Sequence, residues 1–188
     1  MNNIAFLNIK FDKEFLIEQK NNLENLDITI ADLKSGYKIG KIKDKSVMMP
    51  IIKLLPVAPS GMYFFINPPR SAHIDRGRKC AINFPLDVPG KVFAAKQYPS
   101  DWFNKNMTKV KRDVSVLSFK EDIINYPSYE SNQDKYDIGD SIDKAYLLNA
   151  SVPHGVIHDR NQDRYVFTCS YTDIEYNELK EQIKDIIE

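Results

Sequence analysis

Short apolar runs separated by turn-forming residues occupy most of the chain, and their periods predict strands more often than helices. Asn3 to Lys10 is apolar enough for an opening strand. Asp12 is placed to cap a helix through Phe15, Leu16 and Gln19 toward Leu23. Ile28 to Leu33 is short and β-branched and predicts a second strand, with Gly36 and Gly40 as punctuation after it. Pro50, Pro56, Pro59, Pro68 and Pro69 argue against a long helix or a central strand in that region, yet Met62 to Asn67 between them reads as a strand. Lys79 to Leu86 and Lys91 to Gln97 are two β-rich runs joined by the turn Asp87-Val-Pro-Gly90.

Asp113 to Phe119 alternates as a strand does. Asn125 to Asp137 holds three Tyr among polar residues and predicts a long surface loop, a candidate lid. Three short strands follow, around Tyr146-Leu-Leu, Gly155-Val-Ile and Tyr165-Val-Phe-Thr-Cys169. Thr172-Asp-Ile-Glu175 has the form of a capping box. It opens an amphipathic helix with Ile174, Leu179, Ile183 and Ile186 on one stripe. The pattern as a whole predicts antiparallel β structure with flanking helices.

Composition narrows the class. At 188 residues, 43% hydrophobic and 28% charged, the chain is expected to form one ordinary globular domain. Formal net charge is zero, which gives no electrostatic case for nucleic acid or an anionic membrane. No apolar run approaches the roughly 20 residues of a spanning helix. Asp12, Lys13 and Glu14 follow the N-terminus too closely for a signal peptide, so a cytoplasmic location is expected. Cys80 and Cys169 form no CxxC or zinc pattern and read as reduced thiols.

The chemistry-bearing stretch is Ala72-His-Ile-Asp-Arg76. On a strand, residues two apart share a face, so His73 and Asp75 converge. His154, between Pro153 and Gly155, supplies a second imidazole in a sequence hostile to helix. Two His and one carboxylate on one face of a metal make the facial triad suited to Fe(II), with positions left open. A structural zinc site would be closed by four ligands, and no fourth is evident in the sequence. His158 reads as a turn or outer residue, or else as a partner of His154 two strand steps along. Asn83 interrupts an apolar run and is either a cosubstrate contact or a residue satisfying core backbone. Arg76, Arg78 and Lys79 read as solvated turn charges, with a substrate carboxylate as their other use. Trp102, Phe103, Tyr126, Tyr129 and Tyr136 read as packing residues rather than a substrate cage.

His73-Ile-Asp-Arg-Gly-Arg-Lys-Cys-Ala-Ile-Asn-Phe-Pro-Leu86 resembles the HxD strand and following strand of the 2-oxoglutarate/Fe(II)-dependent oxygenases. Leu148-Asn-Ala-Ser-Val-Pro-His154 and its continuation to Arg164 resemble their distal His strand and the Arg after it. Within that superfamily the chain is most similar to the aspartyl/asparaginyl β-hydroxylase-like group. The resemblance covers about 62–171, leaving an N-terminal extension of about 1–60 and a C-terminal helix of about 173–188. His158 departs from the Asn often found near that place in the group.

The resemblance implies a double-stranded β-helix of jelly-roll, cupin-like form. It implies an Fe(II)- and 2-oxoglutarate-dependent dioxygenase that uses O₂ to hydroxylate a C–H bond of an amino-acid or peptidyl side chain. His73, Asp75 and His154 would hold the metal, and Arg164 the distal carboxylate of 2-oxoglutarate, with Arg160 as its competitor. Thr168 and Ser170 share the Arg164 strand face by period two and are positioned to add hydroxyl contacts. The alternative is a non-catalytic cupin-like module that binds a metal or small molecule.

Overall fold

The computed structural model describes residues 2–22, 26–32, 37–66, 72–75, 77–106, 108–111, 122–125, 131–140, 144–158 and 161–188. In chain order the elements are β1 (Ile4–Phe6), α1 (Lys13–Asn21), β2 (Leu26–Asp32), β3 (Tyr37–Ile42), α2 (Met49–Ile52), β4 (Gly61–Ile66), β5 (Cys80–Pro85) and β6 (Lys91–Ala95). Then come α3 (Asp101–Asn106), β7 (Thr108–Lys111), β8 (Asp122–Asn125), β9 (Tyr136–Asp140), β10 (Tyr146–Asn149), β11 (His154–Ile157), β12 (Tyr165–Tyr171) and α4 (Tyr176–Gln182). The strand expected over Asp113 to Phe119 lies outside the described residues, as do Arg76, Tyr126, Tyr129 and Arg160.

Seven strands form one sheet in the order β1-β10-β5-β12-β4-β3-β2, and β11-β6-β9 form a second. Every pairing in both is antiparallel. The two sheets face each other, with Ile4, Tyr146 and Leu148 on one side and Val92 and Ala94 on the other, while Phe93, Ala95 and Tyr136 alternate to the opposite face of the small sheet. This is the jelly-roll, cupin-like arrangement, mainly β with helices outside.

Strand alternation divides the large sheet into two unlike faces. Met62, Phe64, Cys80, Ile82, Phe84, Leu147, Phe167, Cys169 and Tyr171 point outward, where Leu16 of α1, Met48, Ile51 of α2 and Leu179 of α4 cover them. The alternate positions point toward the small sheet, and they carry Asn83, Thr168 and Ser170, all buried. The apolar layer that stabilises the fold thus lies outside the sheet, which leaves the interior free to hold polar groups.

Local chemistry sets the helix ends. Asp12 Oδ1 accepts the Phe15 N–H at 3.0 Å and caps α1 as expected. The capping box at Thr172 does not form. The Thr172 N–H donates to Ser60 Oγ at 3.2 Å, and α4 starts only after Glu175. Leu179 and Ile183 are nonetheless buried and Ile174 and Ile186 pack against the same cluster, so the apolar stripe is real although its first residue precedes the helix.

Two further expectations change. β4 is a central strand, between β12 and β3, despite the surrounding prolines. Its six residues contain no Pro, so every N–H remains for the ladder. The expected loop ending at Asp137 gives way to β9 at Tyr136, whose ring is 1% exposed and sits edge-on to Phe93 and Phe103 at 5.1 and 5.8 Å. Trp102 stacks edge-on against Phe103 at 4.9 Å, so this aromatic set is packing. No helix among the described residues is long and apolar enough to cross a membrane.

Cys80 and Cys169 are both buried and free. Burial pushes the Cys80 thiol up to about 12 and raises Cys169 as well. A thiol attacks only as thiolate. The native protein should therefore leave both cysteines unreacted with 5,5′-dithiobis(2-nitrobenzoate) at pH 8, and urea-unfolded protein should titrate two thiols.

Candidate metal centre

Residues 72–75 are not a strand, as the HxD reading expected them to be; one residue of the segment, His73, makes a bridge. His73 and His154 exchange both backbone hydrogen bonds, each at 2.9 Å. Residues paired in this way project their side chains to the same face. The two imidazole rings accordingly meet, with centroids 4.4 Å apart. Two residues on, the Asp75 N–H donates to the Ala150 carbonyl at 3.1 Å, and this contact fixes the segment to the end of the large sheet. The convergence expected from strand alternation is thus achieved by a two-point attachment.

Asp75 Oδ1 lies 3.6 Å from His73 Nε2, and Oδ2 lies 3.6 Å from His154 Nε2. One ligand atom from each of the three residues falls within 4.8 Å of the others, and no fourth His, Cys, Asp or Glu joins the group among the described residues. An octahedral ion with bonds near ~2.1 Å holds neighbouring ligand atoms about 3 Å apart. Small side-chain rotations close that difference, so the donor set fits one divalent ion.

The protonation states suit ligation. His154 Nδ1 is 2.9 Å from the Val152 carbonyl, which only accepts, so the proton sits on Nδ1 and the Nε2 lone pair faces the centre. Burial, with His73 adding to it, lowers the His154 imidazolium to about 3. For Asp75 burial acts to raise the carboxyl, but Arg78 and the two imidazoles outweigh it and hold it down to about 2. Near neutral pH both groups are already in their ligating forms. Arg78 is not a solvated turn charge. Its side chain is 16% exposed, and its Nε and Nη2 both donate to Asp75 Oδ2, the former at 2.6 Å.

The other candidates line the inner face in order of distance along the strands. Nearest the Asp75 end is the row Leu148, Ala81, Ser170; the next row is Tyr146, Asn83, Thr168. Thr168 Oγ1 donates to Asn83 Oδ1 at 2.7 Å. Arg164, just before β12, is fully buried at 0% exposure, and its charge acts on the buried Tyr146 hydroxyl against the upward push of burial. Its Nε packs on Gly90, where a β-carbon would come within 2.8 Å of it and 3.2 Å of Val156 Cγ1. Val156 is two residues along β11 from His154, a span of about 7 Å on a strand. A row of polar groups therefore connects the His/Asp/His cluster to a buried guanidinium. His158 is buried beyond the end of β11 but is not one of the three converging groups.

Sequence reasoning missed Tyr146, Gly90 and the role of Arg78. Tyr146 stood in an apolar run and Gly90 in an ordinary turn, so neither carried a signal of its own. Gly90→Ala should force its methyl against Arg164 Nε and cost about 1–3 kcal/mol by overpacking. Urea unfolding of the variant against wild type measures this.

No protein-family model matches the chain, and no curated protein matches it. Among solved structures, E. coli ycfD is similar over 95% of this chain at 9% identity and a TM-score of 0.49. The similarity takes in 52% of ycfD, so this chain spans about half of that protein's length. HygX from Streptomyces hygroscopicus, with nickel and 2-oxoglutarate bound, is similar over 93% of this chain and 85% of its own, at 11% identity and a TM-score of 0.38. HygX with nickel, 2-oxoglutarate and hygromycin B bound gives the same coverage at 13% identity and 0.40. Likenesses this distant transfer no residue roles to this chain.

Proposed function

We propose that the protein is a 2-oxoglutarate- and Fe(II)-dependent dioxygenase that hydroxylates a C–H bond, with an amino-acid or peptidyl side chain as substrate. The observation that carries this reading is the three-ligand cluster of His73, Asp75 and His154, with both His buried and no fourth ligand among the described residues. Two neutral imidazoles and one carboxylate are the donor set of non-haem Fe(II) oxygenases. When bound, iron and 2-oxoglutarate supply the oxidative decarboxylation that activates O₂.

The residues of the chain bind and orient. The Val152 carbonyl holds His154 in the Nε2-ligating tautomer. Arg164 offers the distal carboxylate of 2-oxoglutarate a fork of N–H donors in a water-poor interior, near the buried Tyr146 hydroxyl. Asn83 and Thr168, bonded to each other, line the path between the metal ligands and Arg164. The substrate class follows from the sequence resemblance to the aspartyl/asparaginyl β-hydroxylase-like group.

The test is anaerobic addition of Fe(II) and 2-oxoglutarate to purified protein. A visible metal-to-ligand charge-transfer band is expected, and its absence refutes the reading. Alanine at His73, Asp75 or His154 should sharply weaken Fe(II) binding, because two remaining ligands make a poor site. Arg164→Ala should instead weaken 2-oxoglutarate binding by about 2–5 kcal/mol while Fe(II) binding changes little. Arg164→Lys should recover part of it, since a point charge lacks the fork. Titration of Fe(II)-loaded Arg160→Ala beside Arg164→Ala decides which guanidinium is the anchor.

A further inference from the structure

Asp75 presents its two oxygens symmetrically. Oδ1 is 3.6 Å from His73 Nε2 and Oδ2 is 3.6 Å from His154 Nε2, so the carboxylate by itself favours neither oxygen as ligand. Denticity matters to the count of positions. Two imidazoles and a one-oxygen carboxylate use three of six octahedral positions. Bidentate 2-oxoglutarate uses two more, and one is left for O₂. A two-oxygen Asp75 would fill that last position.

Arg78 removes the symmetry. Its Nε and Nη2 both donate to Oδ2 and neither to Oδ1. The guanidinium is itself held, with its central carbon 5.5 Å from the centre of the Phe65 ring. Gly77 has φ +80°, a left-handed conformation that L side chains rarely adopt, and a β-carbon there would meet nothing within 4 Å. Glycine is therefore needed for the backbone turn and not for space. Gly77 immediately precedes Arg78, whose guanidinium meets Asp75 Oδ2.

We propose that Arg78 is a positioning residue that occupies Asp75 Oδ2, leaves Oδ1 as the single ligand oxygen, and so keeps the sixth coordination position open. This rests on the metal-centre reading above. It assigns Arg78 a task that the metal ligands cannot perform themselves: limiting the carboxylate to one bond.

Nitric oxide, as a probe of the O₂ position, separates this from a merely structural role. Anaerobic wild-type protein loaded with Fe(II) and 2-oxoglutarate should bind it and give the paramagnetic resonance signal of an iron nitrosyl. Arg78→Ala should keep its Fe(II) affinity, since a released carboxylate chelates at least as well, and lose about tenfold or more in nitric oxide affinity. Arg78→Lys and Arg78→Gln should lose less. Wild-type nitric oxide affinity in folded Arg78→Ala overturns the proposal. So does a tenfold loss of Fe(II) itself, which would make Arg78 a support for Asp75 and not a limit on it. If Arg78→Ala does not fold, Arg78→Lys and Arg78→Gln decide: reduced nitric oxide affinity at unchanged Fe(II) affinity supports the proposal, and unchanged nitric oxide affinity overturns it. Failure of wild type to bind Fe(II) would remove the metal centre, a separate result from any effect of Arg78.

Discussion

The pair of backbone hydrogen bonds between His73 and His154 is the contact on which the candidate site depends. It sets two imidazoles side by side without help from either side chain. The segment is then pinned a second time, through Asp75 N–H to the Ala150 carbonyl. His73 is thereby attached to the edge of the small sheet and Asp75 to the end of the large one. Side-chain geometry at the centre is inherited from main-chain geometry, which is stiffer.

The second constraint is the division of the large sheet into an apolar outer face and a polar inner one. In many sandwiches the space between sheets is the hydrophobic core. Here much of that burden falls on the layer between the sheet and α1, α2 and α4, where Phe64, Phe84 and Phe167 cluster with ring centroids 5.0 and 5.9 Å apart. The interior still contains apolar packing near β1, β6 and β9, but it also accommodates Asn83, Thr168, Ser170 and Arg164. Buried polar groups destabilise a core that depends on them for packing. They are tolerated when the packing is supplied elsewhere.

Much of this was legible from residue order alone. Short apolar, β-rich runs bounded by turn residues predicted β5, β6, β10 and β12 nearly in place, because these strands are buried along most of their length. His73, Asp75 and His154 were conspicuous because only three His occur in the chain. What escaped was long-range. The role of Tyr146 depends on Arg164, eighteen residues later and on the far side of β11 in chain order. The role of Gly90 depends on the same side chain meeting it across a turn. The capping box at Thr172 failed because Ser60, 112 residues away, competes for its N–H. A local pattern records local preference, and tertiary partners override it.

The cluster also has a mechanical meaning. His73 and His154 stand 81 residues apart in sequence, and between them lie β5 and β10 of the large sheet and β6 and β9 of the small one. An ion held by both, and by Asp75, would close that long loop much as a covalent cross-link does, restricting the unfolded chain wherever the ion stays bound. Occupancy would then set the shape of the barrel mouth as well as its chemistry. The empty and loaded proteins would differ most in how readily the 72–75 segment peels away from the edge of the small sheet.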